Sequence, residues 1–142
     1  GVVLVRLPAL ANANLNGATK KFGNGSVLLL LTDRNKASDI FWFSLFHEIG
    51  HILQNDFSSD DGGSDSYRRS EELADQFAKD LLIAPQDYQR FIDEACFDKQ
   101  SIKKFADEIG IHPSIVLGRL QNDEYLGYDQ FRDLKVNYYL VS

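Results

Sequence analysis

Apolar positions along the chain fall into a few distinct patterns. Val2-Val3-Leu4-Val5-Arg6-Leu7 is a short, β-branched run stopped by Pro8, and it reads as a strand. The stretch from Ala9 to Asn24 is rich in Asn, Gly and Ala, with Asn16-Gly17 and Gly23-Asn24-Gly25 as turn signals, so loops around at most one short strand are expected. Val27 to Thr32 is a continuous apolar run bounded by Gly25 and Asp33-Arg34-Asn35. It is a strand of one of two kinds: a core strand, or one lining a cleft and holding an extended peptide by backbone pairing. From Ser38 onward the period lengthens. Ile40, Phe41, Phe43, Leu45, Phe46, Ile49, Ile52 and Leu53 predict a buried central helix, apolar over most of its circumference, with Ser38 and Asp39 as N-cap candidates.

The polar, acidic segment from Phe57 to Ser70 reads as a surface loop rather than a domain linker. Ser70 then caps a second helix over Glu71–Leu82, with Leu73, Ala74, Phe77, Ala78 and Leu81 on its buried face and Glu71 and Asp75 together on another. Pro85 opens a third helix ending near Ala95, Ser101–Ile109 forms a fourth closed by Gly110, and Pro113 suits the first turn of a fifth through Leu120. The last two have the look of a helix-turn-helix. The helix Ser114–Gln121 offers only Arg119 as a cation, however, and leads into Asp123-Glu124, so a packing unit that completes the domain is the preferred reading. Phe131, Leu134 and Val136 anchor the C-terminal segment.

Composition narrows the class. With 142 residues, 44% hydrophobic and 25% charged, residues 1–142 read as one soluble domain. A net charge of −6 argues against this chain gripping a phosphate backbone, so DNA is expected as a partner only through a domain outside it. One cysteine, Cys96, cannot form an internal disulfide, and no apolar run approaches the ~20 residues of a membrane span. A cytoplasmic location without membrane contact is expected. The absence of methionine makes Gly1 the expected start of a C-terminal fragment of a longer protein.

The candidate chemistry lies on the first helix, in His47-Glu48-Ile49-Gly50-His51. Four residues' spacing sends both imidazoles off one face, where they converge on a single ion, and Glu48 beside them takes the general-base position of a zinc hydrolase. Burying these groups is costly unless they have partners, and a cation with its ligands is the simplest set. A catalytic zinc usually keeps three protein ligands and an open position. Glu71 is the preferred third ligand over Glu72, because only Glu71 has Asp75 stacked one turn further along, where it would orient a ligand histidine through its outer N–H. His112 is a second candidate catalytic residue, donating to the oxyanion of a tetrahedral intermediate, or else a turn histidine without a role; Tyr125, Tyr128, Tyr138 and Tyr139 are equal candidates for that donor.

Phe46-His47-Glu48-Ile49-Gly50-His51-Ile52-Leu53, then Glu71-Glu72-Leu73-Ala74-Asp75-Gln76-Phe77-Ala78 with Leu81-Leu82-Ile83 and Pro85, resemble the ImmA/IrrE family of metallopeptidase domains. The opening strand, Asp39–Phe43 and His112–Gln121 are most similar to the branch fused to XRE-type helix-turn-helix regulators and HigA-type antitoxins. The resemblance implies an α+β, zincin-like fold with a small sheet packed on the central helix. It implies Zn2+ held by His47, His51 and Glu71, with Glu48 as base. Asp75 stands where the family often has Asn, and Ile83-Ala84-Pro85 departs from its usual Met-Pro ending. The expected function is zinc-dependent cleavage of a regulatory protein, a repressor or a toxin–antitoxin partner; the alternative is a non-catalytic regulatory or interaction module.

Overall fold

The computed structural model describes residues 1–9, 11–12, 14–57 and 64–139. It has three strands followed by five helices, an α+β arrangement. β1 (Val2–Leu7), β2 (Gly17–Lys21) and β3 (Val27–Thr32) form one sheet in the order β1-β3-β2. β1 runs parallel to β3 with Val2 beside Val27, and β2 runs antiparallel to it with Gly17 opposite Leu31. The β2–β3 hairpin turns through Gly25 at φ +80°, and the Asn24 side chain accepts from the Ser26 amide at 3.0 Å.

β3 is therefore the central strand, and both its edges are paired. Val27, Leu29 and Leu31 alternate into the interior at 7%, 3% and 1% exposure, the period-2 burial of a core strand. Of its two sequence readings, the core strand is the one realised. The edge bordering the functional cleft belongs to β2, a polar, Gly-containing strand recruited by pairing rather than by its own propensity.

The helices are α1 (Ser38–Leu53), α2 (Asp65–Leu82), α3 (Pro85–Glu94), α4 (Lys99–Ile109) and α5 (Pro113–Asn122), with a 3-10 turn at Arg132–Leu134. Three helix starts differ from expectation, α4 opening at Lys99 under an Asp98 cap that accepts from the Ser101 amide (2.8 Å) rather than at Ser101. The N-cap of α1 is Ala37, without a side-chain cap. Ser38 instead shares a buried hydrogen bond with Ser114 of α5 (2.7 Å), and Asp39 accepts from Lys135 Nζ (2.5 Å), so both tie α1 to the C-terminal half. α2 begins at Asp65 with Ser64 accepting from the Tyr67 amide (3.2 Å), which puts Ser70 inside the helix. The Ser58-to-Gly63 part of the expected acidic loop lies outside the described residues.

α1 and α2 cross closely. A Cβ on Gly50 would stand 3.2 Å from the Ala74 Cα and 3.2 Å from the Phe77 ring, so a side chain there would have to push the α2 backbone or that ring aside. Ala74 and Ala78, both fully buried, form the seam. That seam rotates the helix so that Leu73 and Leu81, expected on the buried face, stand 51% and 54% exposed. A seam of small residues brings two backbones together, and the larger side chains turn outward. The main hydrophobic core lies under α3–α5, from Ile83 and Phe91 to Ile102, Phe105, Leu117 and Leu120, with the Phe91 and Phe105 rings stacked at 4.3 Å. Val116, Leu117 and Leu120 of α5 are fully buried, so in this structure the α4–α5 pair is a packing unit of the domain.

Candidate metal centre

His47 and His51 leave α1 one turn apart, and their Nε2 atoms are 3.0 Å from each other. The close α1–α2 crossing carries Glu71 to them. Its two carboxylate oxygens lie 3.3 Å from His47 Nε2 and 3.2 Å from His51 Nε2. These donor atoms fall within 4.8 Å of one another, and the group is half-buried to buried.

The outer ring nitrogens decide what the inner ones can be. Asp75 accepts from His47 Nδ1 at 2.8 Å, so that nitrogen carries the proton and Nε2 of a neutral ring presents a lone pair. His51 Nδ1 lies 3.4 Å from Ser70 Oγ. The Ser70 hydroxyl can donate or accept, and where it accepts from His51 Nδ1 two imidazole lone pairs and a carboxylate converge with no donor among them, an arrangement that calls for a cation. A proton on His47 is the other way to satisfy it. The His47 pKa is raised: burial opposes the charge, but the hydrogen bond to Asp75 and the negative charges of Asp75, Glu71 and Glu48 outweigh it. His51 is pushed down, by burial first and by His47 next. Two nitrogens and one oxygen fit a divalent, borderline-soft ion with an open coordination position.

Glu48 is 8% exposed, and burial raises its pKa against the lowering effects of His47 and of the hydrogen bond from the Thr19 side chain. β2 holds it from the far side. A Cβ at Gly17 would stand 2.8 Å from Glu48 Cγ and 3.1 Å from Oε1, so glycine here provides space for the carboxylate. We expect Gly17→Ala to retain metal and lower the turnover number of any hydrolysis by roughly 10-fold or more, because a 1 Å displacement of a reacting group is worth up to about 10²-fold; metal content and kcat measured together check this.

These groups line one cleft of about 1220 Å³, which runs from β2 past His47, Glu48 and His51 to Ile115 and Arg119 of α5. Glu72 is exposed on α2, beside and not within the cluster. His112 is not brought to the described lining. It is the N-cap of α5, with Nδ1 accepting from the Ser114 amide (3.1 Å) and bonded to Ser114 Oγ (2.9 Å). Of the four tyrosines, Tyr128 borders the cleft, whereas Tyr138 accepts from Trp42 Nε1 (3.2 Å) and Tyr125 packs edge-on against Phe97. Gly17, Thr19, Tyr67 and Ser70 were not singled out as site residues from the sequence. An α2 pattern extended back to Asp65 would have placed Tyr67 one turn before Glu71 on the same face.

Among the described residues no helix is long and apolar enough to cross a membrane. Comparison with curated proteins found no match. A family model described as Peptidase_M78, IrrE N-terminal-like domain, matches residues 3–121, a span that holds the sheet, α1 and α2 with the whole cluster. Such a peptidase family and a His/His/Glu cluster together suggest a metal ion and a metallopeptidase. With that match over most of its length, the chain belongs to the Peptidase_M78 family as an IrrE N-terminal-like domain.

Proposed function

We propose that the chain is a zinc-dependent peptidase domain of zincin-like type, acting in the cytoplasm on a regulatory protein. The observation that carries this reading is one carboxylate, Glu71, facing two imidazole nitrogens at 3.2–3.3 Å while a second, Glu48, stays buried beside them in the same cleft. His47, His51 and Glu71 would hold the ion, and Asp75 and Ser70 would orient the two rings. When bound, zinc supplies a Lewis acid that lowers the pKa of water toward ~7 and polarises a carbonyl.

The chain's own residues supply the rest. Glu48, with its pKa raised by burial, accepts a proton from water and returns it to the departing amine. Thr19 and the space at Gly17 fix the direction of its carboxylate. β2 pairs on one side only, so its outer backbone edge beside the cleft suits an extended peptide added antiparallel as a fourth strand. The resemblance to domains attached to XRE-type and HigA-type regulators makes a repressor or a toxin–antitoxin partner the favoured substrate, with DNA met through a separate domain.

Because His47 must lose its proton to bind a metal, affinity should rise with pH. Its pKa is raised above the ordinary value of 6.5, so in the metal-free chain the site is protonated below that raised pKa and binding there releases a proton. Calorimetric zinc titrations in buffers of different ionisation enthalpy, between pH 5.5 and 8, should show tighter binding and fewer protons released as pH rises. The functional test incubates the zinc-loaded chain with candidate repressor and toxin–antitoxin proteins and maps fragments by mass spectrometry. Fragments formed by wild type and absent with Glu48→Gln support the proposal. Stable association without cleavage would favour the regulatory module instead.

A further inference from the structure

Tyr67 sits in the first turn of α2, four residues before Glu71 and eight before Asp75, so all three share one helix face directed at His47 and His51. Its amide is fixed by the Ser64 cap at 3.2 Å. The negative charge of Glu71, first, and that of Glu48 reach its hydroxyl and hold its pKa up, and the side chain lines the cleft. The phenol thus borders the same cleft as the base and stands one helical turn before the third candidate ligand. A phenol keeps its proton at neutral pH, so it is a donor there.

We infer that Tyr67 is a catalytic residue: its hydroxyl donates a hydrogen bond to the oxygen of the scissile carbonyl as that oxygen becomes negative. This rests on the peptidase reading above and names a donor that the position of His112 does not supply. In the step, the water oxygen bonds to the carbonyl carbon while its proton passes to Glu48, and the carbonyl π pair moves onto oxygen. Tyr67 stabilises that charge without giving up its proton. Collapse re-forms the carbonyl and breaks the C–N bond, and the amine leaves with the proton from Glu48. The products are one carboxylic acid and one amine.

A purely structural Tyr67 would only steady Glu71, and two probes separate the roles. A phosphinic pseudopeptide has a tetrahedral, anionic centre like the intermediate; a thiol-bearing dipeptide offers a sulfur ligand and no such oxygen. For Tyr67→Phe we expect unchanged zinc content and unchanged affinity for the thiol dipeptide, with affinity for the phosphinic peptide reduced about 10²-fold, the lower end of the loss for one oxyanion donor. On an internally quenched peptide selected from a random library with the wild-type chain, kcat should fall by a similar factor while KM stays within about twofold. Equal weakening of both probes, or loss of zinc, would overturn the inference in favour of a structural role, as would an unchanged phosphinic affinity. The binding comparison needs no turnover. A wild-type chain that binds zinc but cleaves no peptide therefore defeats the proposed function, and the two-probe ratio still decides the role of Tyr67.

Discussion

Glu48→Gln is expected to keep zinc at wild-type stoichiometry and to lose peptide hydrolysis by roughly 10²–10⁴-fold, the contribution of a positioned general base. The substitution preserves side-chain volume and the ability to accept from Thr19, and Glu48 is not one of the three groups whose donor atoms converge. What disappears is the proton acceptor. Glutamine also lacks the carboxylate charge that helps raise the His47 pKa, so the metal-free variant should protonate His47 less readily and bind zinc at least as well at mildly acid pH. Metal content, kcat and the zinc isotherm at pH 6 measure these effects in one preparation. Loss of zinc together with activity would show that Glu48 is a ligand.

Glu71→Ala is the second large effect. Removing it leaves two imidazoles without the carboxylate that lies 3.2–3.3 Å from each, so zinc affinity should fall by more than the ~10–100-fold typical of a residue that only orients a ligand. Asp75→Asn should fall inside that smaller range, since Asp75 reaches the cluster only through His47 Nδ1. The loss should be visible in stability. Zinc at about 100 times its dissociation constant stabilises a folded chain by about 2.7 kcal/mol, a Tm increase of roughly 10 °C for a domain of this size. Wild type should show that increase and Glu71→Ala should show little of it. Because Glu72 is exposed next to Glu71, Glu72→Ala should behave as wild type, which separates the two candidates directly.

The parts of this site readable from sequence are those set by helical spacing. His47, Glu48 and His51 follow from a four-residue repeat on one apolar helix, and Glu71 with Asp75 from another, because side chains at that spacing share a face whatever the surroundings. What spacing does not encode is which turns of chain belong to a helix. Tyr67 is the one hydrophobic position in Asp65–Arg69, too little for a periodicity, so the sequence puts the α2 start at Ser70, and Tyr67 and Ser70 lose their place beside Glu71 and His51. Leu73 and Leu81 show the converse: periodicity gave them a face, but the Gly50–Ala74 approach chose which face was buried. β2 was hard to read for a third reason. Gly17-Ala18-Thr19-Lys20-Lys21 has little strand propensity and is a strand because β3 pairs with it. Gly17 matters through the volume it leaves empty, which no local signal reports. His112 carried a functional reading because histidine is versatile, and the structure uses it as a helix cap.

The central claim is that His47, His51 and Glu71 together hold one zinc ion. Its most direct test is the zinc-to-protein ratio, measured by inductively coupled plasma mass spectrometry after loading and extensive dialysis, for wild type and for the His47→Ala, His51→Ala double variant. One zinc per chain in wild type and close to none in the double variant is the predicted result. Equal metal content in the two proteins would contradict the assignment.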